Sequence, residues 1–576
     1  LIMKLQLKIS IKKILMINND ERLVLENYDN KFLYKKDKSN LNITFNRIAF
    51  IFFIFLIVCF IYSIKVFYLS SLSSKIKIEK LIPLKKNYRA DILDNKGNFI
   101  AKTLTTTDVG INPNLIIDKK KFLINLKIIF PDKDFIKLKK KINGKKFFYL
   151  EKKISQKKYQ KLRLLGDKSI ISEEKLSRIY PQKNLFSHII GQIDNDNNGI
   201  SGIEKSFDQE LKTRKTPLEL TLDTDIQYLI REELLKYQEI FKSIGSAAIL
   251  MKVNNGNLLS MVSLPDFNLN KRQDIKDKKY INRNTKGVYE LGSVFKTFTV
   301  AAGFDEGVVE PDTEYLNLEK KLNCGKFTIR EYSDKTPTDL TVEQILIRSG
   351  NIGSVRIGQK IGIDKFKLFL EKIGVLNMME FDIEEVGKPI LFNWGKCKLA
   401  TASYGHGITT TPLQLAKGYS IIVNGGFDIK PTLIKKEPNT DLTKKRILSE
   451  GVSKKINNIL RKIVTDKEGT AELANVYGYE VGGKTGTAQK AVKGGYSRGK
   501  INTFAAIFPT SKPKYILIVL LDEPKTNSEY IYYYRDGSLP TKGTPFNTAG
   551  WTSVEVAGKI IEKIGPILAT KYREVN

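Results

Sequence analysis

Histidine, cysteine and tryptophan are scarce in this 576-residue chain, which holds two, three and two of them. His188 and His406, added to Cys59, Cys324 and Cys397, make too few ligands for a His/Cys metal site, and no metal or other cofactor is expected. Cys59 falls in an apolar segment. Cys324 and Cys397 have no spacing that demands a bond, so whether they pair stays open. Acidic residues are also short, with 62 Asp and Glu against 96 Lys and Arg, a net charge of +34. That excess points first to nucleic acid. The lysines, however, are spread along nearly the whole chain and no nucleic-acid motif accompanies them, so no such partner is expected. Biased coding explains much of the charge, and a basic exterior suits lipid headgroups or an acidic polymer. Disorder is not indicated either: 41% of residues are hydrophobic and 27% charged.

Long apolar runs are limited to one. Ile48 to Ile64, IAFIFFIFLIVCFIYSI, has no charge over about 17 residues, the short end of a bilayer span. About 46 residues precede it, and Lys65, Val66 and Phe67 rather than small residues follow it directly, which favours an uncleaved anchor over residues 47–67. The chain opens on Leu1, with Met3 and Met16 as candidate starts. Lys31, Lys35, Lys36, Lys38 and Arg47 keep residues 1–46 on the cytoplasmic side and place everything after Lys65 outside.

Beyond the anchor, residues 68–215 are mixed. Tyr88 to Leu104 alternates around an Asn-Lys-Gly turn and predicts a hairpin. Lys119 to Lys161 is lysine-dense, and both LINLKIIF and FFYLEKKI read as helical. A second unit, 216–570, opens with Leu220-Thr221-Leu222 as a strand and Asp223 or Thr224 capping a helix through Tyr237. Ala247–Val253 and Leu258–Leu264 flank Asn-Asn-Gly-Asn, a hairpin signal. Thr503–Phe508 and Tyr515–Leu521 form another strand pair, and a helix over Ser553–Ile564 closes the chain. Strands at both ends with helices between predict an α+β fold whose antiparallel sheet is assembled from distant pieces.

Three short motifs carry the chemistry. Ser293-Val294-Phe295-Lys296 puts a lysine one turn beyond a serine if Ser293 opens a helix, and a neutral lysine can deprotonate a serine for attack on a carbonyl. Ser155–Lys158, Ser172–Lys175 and Ser511–Lys514 repeat that spacing, so alone it means nothing. Ser349-Gly350-Asn351 offers a proton relay and an amide that both donates and accepts. Lys484-Thr485-Gly486-Thr487 offers an ammonium and two hydroxyls to a carboxylate, with a glycine that permits close approach of a substrate backbone. A rival pattern overlaps the last. Gly478 to Thr485 satisfies the phosphate-loop spacing, which would make a nucleotidase. It requires a strand before it and a helix after it. Here Glu468–Val476 reads as helical upstream, and glycines at 486, 494, 495 and 499 break any helix downstream.

In order and spacing, 56 residues between the serines and 135 more to Lys484, the trio resembles that of penicillin-binding proteins and class A β-lactamases. From about Arg89 to the last helix the chain is similar to class B penicillin-binding proteins, the transpeptidases without a glycosyltransferase domain. Arg178 to Leu211 resembles that family's junction between stalk and catalytic domain, and LTLDTDIQ from Leu220 its catalytic opening. Ser403–Leu415 and Val481–Lys490 resemble the division type more than the elongation type. Leu291, Ala90 and His406 depart from the usual proline, glycine and glutamine, and none removes a reacting group.

The resemblance implies the penicillin-recognising serine acyl-transferase fold, with an N-terminal stalk domain and one transmembrane helix. It implies a peptidoglycan D,D-transpeptidase at the inner membrane, single-pass, with its catalytic domain in the periplasm. Ser293 would be the nucleophile, Lys296 its base, Ser349 the proton relay and Asn351 the holder of the substrate amide. Lys484, Thr485, Gly486 and Thr487 would receive the terminal carboxylate, and the N–H groups of Ser293 and Thr487 would form the oxyanion hole. Implied partners are stem peptides and the lipid-linked precursor polymer, β-lactams as covalent inhibitors, a polytopic glycosyltransferase and other division proteins. A lateral-wall role, a β-lactamase and a non-catalytic β-lactam sensor or scaffold are the alternatives on the same fold. For Lys296 to be neutral near pH 7 takes roughly 4–5 kcal/mol of bias against its charge, expected from burial and from the charge of Lys484.

Overall fold

The computed structural model describes residues 38–73, 88–271, 277–325, 327–390, 392–436, 445–492 and 495–572. The chain divides into two compact units, residues 1–85 and 86–576. In the first, helix α1 covers Lys38–Ser73, and its stretch Ile48–Tyr68 is long and apolar enough to cross a membrane. Its described side chains are exposed, as an all-round apolar surface in need of a lipid or protein cover would be. Most of the basic tail assigned to the cytoplasm, 1–37, lies outside the described residues.

The second unit begins with the predicted hairpin. Strand β1 (Ile92–Leu93) pairs antiparallel with β2 (Phe99–Ile111). The turn is tied by Asp94, whose Oδ1 accepts from the N–H groups of Lys96 and Asn98 at 2.9 and 2.8 Å. Helices α2 (Lys119–Ile129), α3 (Phe135–Asn143) and α4 (Gln156–Arg163) are capped by Asp118, Asp134 and Ser155. They pack Phe122, Leu126, Leu138 and Leu162 into a small core with Val109 and Ile111. FFYLEKKI departs from its helical reading. Phe148–Ile154 is strand β3, paired antiparallel with β2, whose other side is covered by β4 (Ile170–Ile179). Its period of two, with Leu150 and Ile154 inward, prevails over a spacing that was ambiguous in so short a run.

Strand β5 is Leu218–Glu219, parallel to β1; Leu220 makes only an isolated bridge to Ile434, so the predicted strand is shifted by two residues. Asp223 caps α5 (Thr224–Ile240). Strands β6 (Gly245–Lys252) and β7 (Leu258–Leu264) form the expected hairpin. They join a five-stranded antiparallel sheet with β10 (Gly482–Val492), β11 (Gly495–Phe508) and β12 (Tyr515–Asp522), in the order β10-β11-β12-β6-β7. The terminal helix Ser553–Lys571 runs longer than predicted. One large core holds this sheet, its helices and also Ala90, Ile92, Tyr180 and Ile203 from before residue 216.

Where those segments meet, an ionic knot is sealed from water. Glu204 accepts from Arg89 Nε at 2.8 Å, Arg178 Nε at 2.7 Å and Tyr180 Oη at 3.2 Å, and Arg89 also reaches Asp208 at 2.6 Å. Arg89 and Glu204 have no exposed side-chain surface. Removing one partner of such a knot leaves buried charge uncompensated. Glu204→Gln is therefore expected to cost about 3–5 kcal/mol in urea unfolding of the full-length protein. Glu210→Gln, on the solvent-washed pair with Arg214, should cost about 0.5 kcal/mol or less. Equal losses would refute the special role of the knot.

Candidate active site

The first serine lies at the entrance to a helix with no polar face. Residues 296–304 are all buried in α6 (Lys296–Asp305), and Lys296 is the only charged side chain among them. Ser293 does not itself open this helix. It sits in a 3₁₀ turn, Gly292–Phe295, and the α-helix begins at Lys296. Three glycines let the turn be clamped. Gly292 has φ of +64°, and a β-carbon there would meet the Thr487 carbonyl oxygen at 2.8 Å. One on Gly405 would lie 1.9 Å from the Gly292 carbonyl oxygen, and one on Gly486 would lie 2.2 Å from that of Leu291. At Gly486 the close approach expected of a substrate is thus made by the chain's own Gly292–Phe295 turn.

The second motif forms a corner. Ser349 holds a left-handed φ of +60°, a conformation costly for a residue with a side chain. Asn351 then opens helix α7 (Asn351–Ile361). The third motif lies on β10, an edge of the sheet, with Lys484 opposite Ala505 and Gly486 opposite Thr503 on β11. A lysine in mid-strand, with strand continuing to Val492, removes the phosphate-loop reading, which needs a loop and a following helix. Upstream, the predicted helix at 468–476 reduces to a 3₁₀ turn, Glu472–Ala474.

These three pieces converge. Lys296 Nζ donates to the Ser349 carbonyl, to Ser349 Oγ at 3.2 Å and to Asn351 Oδ1 at 2.7 Å. Lys484 Nζ donates to the same Ser349 Oγ at 2.9 Å and to the Thr485 carbonyl at 3.2 Å. Both lysines are fully buried. Burial lowers Lys296 from 10.5 to about 7, with Glu331 opposing. Burial also pushes Lys484 well down, and the positive charge of Lys296 adds to it. Repulsion between two ammonium groups is mutual, so each lysine's charge works against the other's. Thr485 Oγ1 bonds Thr470 Oγ1 at 2.8 Å, and Thr487 Oγ1 accepts from Ala549 N–H at 2.9 Å.

Ser293, Ser349, Asn351, Thr485 and Thr487 all line one cleft of about 510 Å³. Among the described residues the Ser293 hydroxyl has no hydrogen-bond partner, and it faces this cleft free. Tyr332, Thr470, Tyr534 and Trp551 also line the cleft, and no sequence motif marked them; Tyr404, from the segment Ser403–Leu415, lines it too. His406 also lines the cleft. Its ring stacks against Tyr404 and Tyr496, and its Nδ1 lies 3.4 Å from Glu290 Oε2, apart from the lysine pair. Cys324, on the hairpin β8 (Lys321–Cys324) and β9 (Phe327–Arg330), is disulfide-bonded to Cys397 on α8 (Lys396–Ala402). Among the described residues no cluster of metal-ligating side chains occurs.

A family profile described as the penicillin-binding protein transpeptidase domain matches residues 246–537, and one described as the penicillin-binding protein dimerisation domain matches 85–233. The chain is 29% identical over 499 residues to the "Probable peptidoglycan D,D-transpeptidase FtsI" of Caulobacter vibrioides, covering 84% of this chain and 82% of the relative. It is 30% identical to the stage V sporulation protein D of Bacillus subtilis, over 64% of each chain. A "Probable peptidoglycan D,D-transpeptidase PenA" of Neisseria meningitidis is 28% identical, over 64% of this chain and 68% of its own.

The glycine clamp yields a test. Gly486→Ala must part β10 from the turn that carries Ser293, and a displacement of about 1 Å can cost on the order of 10²-fold in rate. Labelling of Ser293 by a fluorescent penicillin should slow by that factor while thermal stability falls far less. Unchanged labelling kinetics would show that the turn does not depend on this contact.

Proposed function

Because this chain belongs to the penicillin-binding protein transpeptidase family, we propose that it cross-links peptidoglycan stem peptides through an acyl-enzyme on Ser293, in septal wall synthesis. The septal assignment rests on the similarity to the division-named relative. The observation that carries the mechanism is the hydrogen-bonded group of Lys296, Ser349, Asn351 and Lys484, whose Ser349 and Asn351 line the same cleft as the free Ser293 hydroxyl. In this reading a peptide ending in D-Ala–D-Ala lies along β10. Lys484, Thr485 and Thr487 hold its terminal carboxylate. Ser293 Oγ attacks the penultimate carbonyl and gives its proton to Lys296. The oxyanion is held by the N–H groups of Ser293 and Thr487, each typically worth about 3–4 kcal/mol. Ser349, bonded to both lysines, passes the proton to the departing D-alanine nitrogen, and Asn351 holds the substrate amide. An amine from a neighbouring strand then takes the acyl group, forming the new amide bond as the ester to Ser293 breaks.

The buried pair links binding to chemistry. A carboxylate arriving at Lys484 favours that residue's charged form, and a charged Lys484 favours neutral Lys296. β-Lactams acylate Ser293 by the same route. We assign residues 1–46 to the cytoplasm, 47–67 to the span, 68–215 to a periplasmic stalk and 216–570 to the transpeptidase domain. The stalk and span would dock a polytopic glycosyltransferase and other division proteins.

Ser293→Ala should abolish covalent labelling by a fluorescent penicillin; undiminished labelling would contradict the assignment. Since Lys296 must be neutral to act, acylation of the wild type should rise with pH through about 7 and then level. A rate that is flat from pH 5.5 to 8.5 would remove Lys296 as the base.

A further inference from the structure

Helix α7 carries Asn351 but cannot cap itself, because Gly350 at its N-cap has no side chain to offer. Its first N–H groups are instead taken by a residue 20 positions upstream. Glu331 Oε2 accepts from Asn351 N–H and Glu331 Oε1 from Ile352 N–H, both at 2.7 Å. The neighbouring Arg330 carbonyl accepts from Asn351 Nδ2 at 2.8 Å. With one amide hydrogen fixed there, Asn351 Oδ1 is turned onto Lys296 Nζ. The backbone and side chain of Asn351 are thus both held by the end of the β8–β9 hairpin, which the Cys324–Cys397 bond fastens to α8.

Resting on the function proposed above, we infer that Glu331 is a positioning residue for acyl transfer, one that fixes Asn351 and supplies the negative charge that counters the cost of a protonated Lys296. A glutamate accepting from a helix's first N–H groups ordinarily steadies that helix and nothing beyond it. This one differs because its charge acts on a fully buried ammonium. The charged groups acting on Lys296 are Lys484, in the same hydrogen-bonded group, and Glu331; Arg348, next along the chain to Ser349, is paired with Glu468 at 2.7 Å. Removing the negative charge lets Lys296 lose its proton more readily, so the base becomes competent at lower pH.

The test compares pH profiles of penicillin acylation for the full-length wild type, Glu331→Gln and Glu331→Asp. For Glu331→Gln the acid limb should move down by roughly one pH unit. Its plateau should fall by roughly 10-fold, because glutamine can accept only one of the two N–H groups. Glu331→Asp keeps the charge and should return the limb toward the wild-type position. The midpoint of a limb does not depend on what fraction of a sample is folded, so partial misfolding does not obscure it. A lowered plateau with an unmoved limb would reduce Glu331 to a structural cap and overturn the inference, as would profiles that superimpose. If the wild type itself is not acylated at Ser293, the transpeptidase reading fails first, and that result is distinguishable from both.

Discussion

Two buried lysines share the hydroxyl of Ser349, and much of the catalytic unit is arranged to make that tolerable. An ammonium taken out of water is expensive unless it is neutralised or fully hydrogen-bonded. Lys296 and Lys484 are fully buried, and among the described residues no carboxylate contacts either; their partners are the oxygens of Ser349, Asn351 and Thr485. Placing two such groups together makes each proton harder to keep, which is the condition a lysine base needs. The left-handed backbone of Ser349 is one consequence. It turns both the carbonyl and the hydroxyl of one residue toward Lys296.

The serine is delivered to this pair by packing rather than by hydrogen bonds. The turn around Gly292 is pressed against β10 at Thr487 and Gly486 and against Gly405 on the other side. Any β-carbon at these positions would push the turn off the sheet. The sheet in turn is a well-buried platform: all eight residues of β12 are buried, and so are seven of the eight in β6. The hydroxyl of Ser293 is thereby exposed to the cleft while its backbone is immobilised. This is the arrangement a nucleophile needs to meet a substrate without rearranging.

The ionic knot of Arg89, Arg178 and Glu204 does a comparable job away from the chemistry. It ties residues that start the second unit to others more than a hundred positions later, across a core those segments share with the catalytic sheet. Arg178 and Glu204 lie within the segment that resembles the family's junction, so the likeness there has a physical basis in buried charge.

Local pattern was enough for much of this. The Asp223 cap, the hairpin across Asn-Asn-Gly-Asn and the terminal helix depend on neighbours in sequence, and they formed where periodicity and turn chemistry indicate. The three motifs were legible through their order, and chance copies fell away for local reasons: Ser155 caps a helix, and Ser172 lies with Lys175 on a strand, where positions three apart face opposite sides. FFYLEKKI and the strand near residue 220 were misread because short apolar runs fit either period until a partner strand claims them. Only the tertiary structure could make Glu331 a cap, pair Cys324 with Cys397, or choose the burial that lowers Lys296. A cap in trans, a disulfide and a desolvated charge are properties of distance in space, and residues far apart along a chain carry no local mark of it.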